Sequence, residues 1–170
     1  MAYNFRRGVQ FIGDISGSDD SDRNTGIDFE DDYIALVTGG STSFVLSGSR
    51  VGIETNSPTS NLHVAGTFSL PITVIDGVSN AIGSSHYTVL LNADSGNCAA
   101  QLPAASGIAG RIYVFKRIDS SHNHVKVQSN GSQRIDGSAA KKINTNYGAM
   151  TVVALSSSVN GFGWGIISAT

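Results

Sequence analysis

At 170 residues, with a formal net charge of −2 and 14% charged side chains, the chain lacks the basic excess that a nucleic-acid or anionic-lipid partner requires. Cys98 is its single cysteine, so an intrachain disulfide is excluded and stability has to come from packing and association. No apolar run approaches the length of a membrane-spanning helix, and the first ten residues lack the apolar core of a secretory signal, which predicts a soluble product made in a cytoplasm without membrane insertion. Abundant Gly, Ser, Asn and Thr with only three prolines favour β structure with many tight turns, and no convincing helix is predicted.

Residues 1–16 carry Phe5, Val9 and Phe11 beside the adjacent Arg6 and Arg7, with breaks at Gly8 and Gly13. The segment is too short for a core of its own. Its aromatic and arginine content matches protein interfaces, so it reads as a peptide that docks on a larger assembly; the alternative is a frayed terminus. An acidic, serine-rich stretch follows. Asp20, Asp22 and Asn24 occupy the first, third and fifth positions of a calcium loop and Asp31 the twelfth, but Thr25 stands where the loop needs glycine and Asp replaces the bidentate Glu. A solvated linker is the better account.

Between residues 27 and 66 apolar side chains come in pairs one position apart: Ile27 and Phe29, Ile34 and Leu36, Phe44 and Leu46, Val51 and Ile53, Leu62 and Val64. A period of two puts both members of a pair on one face of a strand. Turn residues separate the pairs at 39–40, 47–49 and 56–60, so the strands are short and the object they build is narrow. Burying ten side chains does not offset the ordering of some forty residues, so one copy is not expected to fold alone. Sharing a core among copies, with strand edges paired to neighbours, predicts an intertwined shaft over 17–68.

The run Val51-Gly52-Ile53-Glu54-Thr55-Asn56-Ser57-Pro58, followed by Asn61-Leu62-His63-Val64-Ala65-Gly66, resembles a segment recurrent in bacteriophage tail fibres, roughly V-G-I-G-T-x-x-P then x-L-H-V-x-G. Glu54 departs from it, standing where that segment has glycine. Such shafts are parallel homotrimers, and the resemblance implies a trimer here, with the ten paired residues as its core.

From residue 72 onward alternating runs lengthen, at 72–75, 86–92, 99–102, 111–118, 124–128, 149–155 and 163–168. Asp76-Gly77, Asn130-Gly131, Asp136-Gly137 and Asn160-Gly161 supply turn signals between them. Seven or eight strands at this spacing predict a compact β-sandwich head of jelly-roll type over 69–170. The runs 112–115 and 152–155 are apolar on both faces, which marks central or intersubunit strands. The stretch 101–121, the run 130–137 and the closing Gly163-Trp164-Gly165-Ile166-Ile167 are similar to a C-terminal domain carried by phage fibres, which implies receptor binding at a fibre tip.

No convergent nucleophile and base, no paired carboxylates and no phosphate-cradling loop emerge, so catalysis is not expected and no cofactor is implied. His122 and His124 share a face if the segment is extended, and three copies around an axis would present six ring nitrogens to a transition metal. The same residues also read as the turn before Val125, which is the better account; His63 and His86 carry no further signal. For a sugar, which stacks on aromatic faces and hydrogen-bonds amides, Tyr147 with Asn144 and Asn146 is best placed, and Tyr87, Phe162 and Trp164 follow. Lys141-Lys142 and Lys116-Arg117 offer charge to acidic surface polymers.

The chain thus reads as an all-β homotrimeric virion fibre whose partners are two further copies, a socket protein of tail or capsid, and a host cell-surface glycan or protein. A capsid decoration fibre of the same architecture is the first alternative, and imaging of the particle separates the two. A secreted bacterial trimeric lectin is the second, disfavoured by the lack of a signal sequence.

Overall fold

A computed structural model describes residues 15–155 and 163–170, apart from Ser18, Arg23 and Ser79. Phe5, Arg6, Arg7, Val9 and Phe11, expected to dock, the Asn160-Gly161 turn signal and Phe162 lie outside the described residues. Among the described residues every regular element is a β-strand, and fifteen strands form three mixed sheets. The chain divides into two compact units between Ser69 and Leu70.

The first unit is one six-stranded sheet in chain order: β1 (Ile15–Ser16), β2 (Gly26–Glu30), β3 (Tyr33–Thr38), β4 (Ser41–Ser47), β5 (Arg50–Ile53) and β6 (Leu62–Val64). Two-residue turns join β2 to β3, β3 to β4 and β4 to β5. Gly39 and Gly40 both take positive φ (57° and 74°), the backbone that lets a two-residue turn follow the twist of its strands. Only β6 runs parallel to its neighbour, because the 54–61 connection carries the chain back along β5.

Cross-strand register brings the ten paired residues together. Ile27 faces Leu36, which faces Phe44, then Ile53 and Val64; Phe29 faces Ile34, then Leu46, Val51 and Leu62. They form two continuous rows on one face. That face is open in the single chain: Phe29, Ile34, Leu36, Leu46, Ile53 and Leu62 are 36–58% exposed. The opposite face carries Ala35, Val45, Gly52 and His63 in one cross-strand row, with Ala35 and Val45 fully buried.

The strand pairs fall as the periodicity predicts, and each ladder of the first unit joins neighbouring strands of the same chain. Closing two-residue turns costs little loop entropy, so hairpins satisfy the edges locally before another chain is needed. Glu54 takes φ 55°, the left-handed backbone that glycine adopts at low cost, at the position where the resembled segment has glycine.

The second unit winds differently. Strands β7 (Ile72–Asp76), β9 (Thr88–Asn92), β11 (Ile112–Arg117), β14 (Ala149–Ala154) and β15 (Trp164–Ala169) form a five-stranded sheet in the order β15-β14-β11-β9-β7. Strands β8 (Asn80–Ala81), β10 (Cys98–Gln101), β12 (Val125–Gln128) and β13 (Ala140–Lys142) form a four-stranded sheet in the order β13-β12-β10-β8. From β7 to β12 the chain alternates between the sheets, and successive strands within each sheet are parallel. It therefore makes three turns of a flattened coil before β13, β14 and β15 close the sheets with antiparallel ladders.

This corrects the jelly-roll expectation, which requires antiparallel neighbours. Alternation reports which face a side chain takes, not the direction of the next strand. The Asp76-Gly77 turn passes the chain from one sheet to the other instead of closing a hairpin, whereas Asp136-Gly137 does close one, pairing Ile135 with Ser138.

Between the sheets lies a core that includes Val89, Leu91, Leu102, Tyr113, Phe115, Val125, Val127, Ile135, Val152 and Trp164. Trp164 is fully buried, with its ring centroid 5.6 Å from that of Tyr113, so it fills the core and offers no platform for a sugar.

Gly52 gives the first unit a sharp test, because a Cβ there would lie 2.4 Å from the Thr55 carbonyl oxygen. Backbone, unlike a flexible side chain, cannot swing aside. Gly52→Ala is expected to destabilise the first unit by at least ~2 kcal/mol, read from denaturant melts; an unchanged midpoint would refute the close packing of the 54–61 connection.

Candidate ligand-binding site

The second unit gathers its loops around one buried ion pair. Arg117, the last residue of β11, and Asp119 just beyond it are 3% and 2% exposed, with Nη2 and Oδ1 2.8 Å apart. A buried pair is tolerated only when its remaining donors and acceptors are satisfied. The Asp119 carboxylate also accepts from the amides of Ala93 (2.9 Å) and Ser121 (3.0 Å). Arg117 donates onward to the carbonyls of Ser121 (2.6 Å), Asn123 (3.2 Å) and Ile143 (3.4 Å).

Those partners belong to three separate connections. Ala93 opens the 93–97 turn after β9, Ser121 and Asn123 lie in the turn before β12, and Ile143 begins the 143–148 connection into β14. The Arg117 amide adds a bond to the Gly148 carbonyl at the far end of that last connection (2.9 Å). Parallel β9 and β11, with β14 antiparallel to them, bring all three to the same end of the five-stranded sheet. Burial would raise the Asp119 carboxyl, but hydrogen bonds from Arg117, Ala93 and Ser121 outweigh it and hold it down at about 2.

On this frame Tyr147 is 57% exposed and takes φ 56°, an uncommon backbone for a bulky residue. Lys116 Nζ donates to its carbonyl. Asn144 and Asn146 are exposed on the same connection, so the sequence-predicted aromatic and amides share one loop. Lys142 is exposed on β13, while Lys141 is half-buried and its Nζ is 3.2 Å from the Asp136 carbonyl oxygen. Tyr87 is half-buried before β9.

One predicted role changes. Arg117 is withdrawn from the surface as the partner of Asp119, so it carries no charge to an outside polymer. His122 and His124 are exposed in the turn before β12, and among the described residues of this chain no group of three His, Cys, Asp or Glu residues could hold a metal. In the acidic linker Asp20 accepts from the Thr25 amide (2.7 Å) and Asp22 from the Asn24 side chain (2.6 Å), so two of the calcium-loop oxygens are engaged within the turn.

One feature was not read from the sequence. Asp76, Asn92, Ser95 and Asn97 line a cleft of about 250 Å³ at the same strand ends. Asp76 and Asn92 are register partners on β7 and β9, and Asn97 accepts from the His124 amide (2.8 Å). Asp76-Gly77 signalled only a turn; the fifteen residues separating Asp76 from Asn92 conceal their pairing until the parallel coil is known. The end as a whole presents amides, hydroxyls, a carboxylate and one open aromatic ring, donors and stacking surface suited to a polar ligand. No protein-family model matches the chain, and no curated protein is significantly similar to it.

Because the Asp119 carboxyl sits at about 2 against an ordinary 3.8, its contribution is complete above pH 4 and is lost as pH falls toward 2. The shift corresponds to about 2 kcal/mol. Asp119→Asn is expected to abolish this part of the acid sensitivity and, by leaving Arg117 buried without a counter-charge, to cost roughly 3–5 kcal/mol at neutral pH. Matching acid-unfolding slopes in mutant and parent, measured by circular dichroism, would sink the assignment.

Proposed function

We propose that this chain is the protomer of a homotrimeric bacteriophage virion fibre, its first unit forming the shaft and the loop end of its second unit holding the host surface. The observation that carries association is the row-by-row register of ten apolar side chains on the solvent-open face of the first sheet. A monomer gains nothing from such a face. Copies packing face to face remove it from water, at roughly 25 cal/mol for each Å² buried. The number three rests on the resemblance of residues 51–66 to fibre shafts. In this reading the copies meet by faces, since the strand pairing is already complete within each chain apart from the two sheet edges.

Host attachment is supported by the loop end, where Tyr147 and the neighbouring amides stand on a frame held rigid by Arg117 and Asp119. One shallow site of this kind binds weakly. Three sites on one assembly gain avidity without any new contact.

Sedimentation equilibrium of the full chain is expected to give three times the protomer mass. Leu36→Lys, at a side chain 41% exposed in the single chain, should yield monomers. A parent chain that sediments as a monomer would end the proposal. Attachment is tested separately: Tyr147→Ala should lower binding to host cells at least tenfold while mass and melting temperature stay the same, and unchanged binding would remove Tyr147 from the site.

A further inference from the structure

The polar cleft at the strand ends of the second unit has walls held by the backbone around it. On one side the Asn80 side chain donates to the carbonyls of Asp76 and Gly77, and the Gly77 carbonyl also accepts from the Ala99 amide (2.8 Å). On the other the Ala93 carbonyl accepts from Ser121 Oγ (3.0 Å) and Asn123 Nδ2 (2.8 Å), which ties the 93–97 turn to the frame of Arg117 and Asp119. Of the lining side chains Asn92 is half-buried, and Asp76, Ser95 and Asn97 are exposed.

Hydrogen bonding also fixes which way the two amides point. Asn92 Oδ1 accepts from the Asp94 amide (3.1 Å), and Asn97 Oδ1 accepts from the His124 amide (2.8 Å). A backbone N–H can only donate, so in each side chain the oxygen is the engaged atom and the NH2 group remains for a ligand. Among the described residues none hydrogen-bonds either Nδ2 or the Asp76 carboxylate. The cleft therefore offers one carboxylate as acceptor, two amide groups as donors and the Ser95 hydroxyl as either.

That set selects a ligand class. Calcium takes about six to eight oxygens, and here both amide oxygens are already engaged by backbone. An anion would meet the Asp76 carboxylate. A vicinal diol fits, because each hydroxyl both donates and accepts: one gives its proton to the carboxylate while the pair's oxygens take the amide N–H groups. At about 250 Å³ the cleft is smaller than the ~300–1,000 Å³ that encloses a drug-sized ligand, which limits it to one ring.

We infer that this cleft binds a single neutral sugar ring, with Asp76 accepting from one hydroxyl of a vicinal pair and Asn92 and Asn97 donating to its oxygens. The inference rests on the host-attachment reading and deepens it by naming the ligand class. The test titrates the methyl glycosides of glucose, galactose, mannose and rhamnose into the full chain, following the side-chain NH2 resonances of Asn92 and Asn97 by nitrogen–proton correlation NMR. At least one sugar is expected to shift both resonances saturably, and N-acetylneuraminate and calcium chloride to leave them in place. Asp76→Ala removes the acceptor, and Asn92→Asp keeps an oxygen for the Asp94 amide while removing the donor. Each is expected to weaken that sugar about tenfold at unchanged melting temperature, the loss of one charge-assisted or amide hydrogen bond. No saturable shift with any of the four, an unchanged affinity in Asp76→Ala, or tighter binding of N-acetylneuraminate or calcium would overturn the inference. Host cells held by a chain that answers to no sugar would leave attachment through Tyr147 standing. Sugar bound by a chain that holds no cells would instead overturn the attachment reading and leave the cleft.

Discussion

A β-sheet one layer thick has two faces, and a short chain can cover only one of them. In the first unit the covered face carries Ala35, Val45 and Gly52, and the 54–61 connection packs down at Gly52 closely enough to exclude any side chain there. The apolar pairs are left on the other side, in register and open. This asymmetry governs the rest of the unit. It makes Gly52 irreplaceable and turns the chain back so that β6 extends the same apolar rows. It also leaves those rows open to water in the single chain, an apolar face of the kind that marks interaction surfaces.

The second unit solves the same problem internally. Its coil lays alternate strands on two sheets, so the inner faces bury one another and the core needs no partner. The cost appears at the ends of the coil, where long connections must be held without a sheet ladder of their own. Arg117 and Asp119 meet that need: one guanidinium and one carboxylate satisfy backbone groups from three connections. Burying a pair so deeply adds little net stability by itself, but its many backbone bonds specify where each loop sits. The side chains those loops carry inherit this fixed spacing. Tyr147, with its left-handed backbone, belongs to the same frame through the Gly148 carbonyl and the Arg117 amide.

Much of this was legible in the residues and some was not. Period-two pairing located the strands of the first unit, and the turn residues at 39–40 and 47–49 located two of its three hairpin turns, the third at Asp31-Asp32 carrying no glycine, because both signals are consequences of local backbone geometry. The alternating runs of the second unit likewise marked β7, β9, β10, β11, β12, β14 and β15, whereas β1, β8 and β13, two or three residues each, carry too little pattern to register. Tyr147, Asn144 and Asn146 were visible as a group since they are neighbours along the chain. Asp76 and Asn92 were not, because only the parallel ladder makes them adjacent. Arg117 resembled a surface cation beside Lys116, and its burial depends on Asp119 being turned inward with it.

By itself, then, the sequence determined an all-β chain with a change of grain near residue 70, an apolar stripe on short strands and a polar loop bearing an aromatic ring. These follow from side-chain alternation and turn chemistry, which act over a few residues. Tertiary structure alone decided that the first unit's strands pair within one chain, that the second unit coils in parallel, and that one ion pair draws three distant loops together. Strand direction and buried charge pairing depend on contacts between residues far apart in the chain, and no local periodicity encodes them.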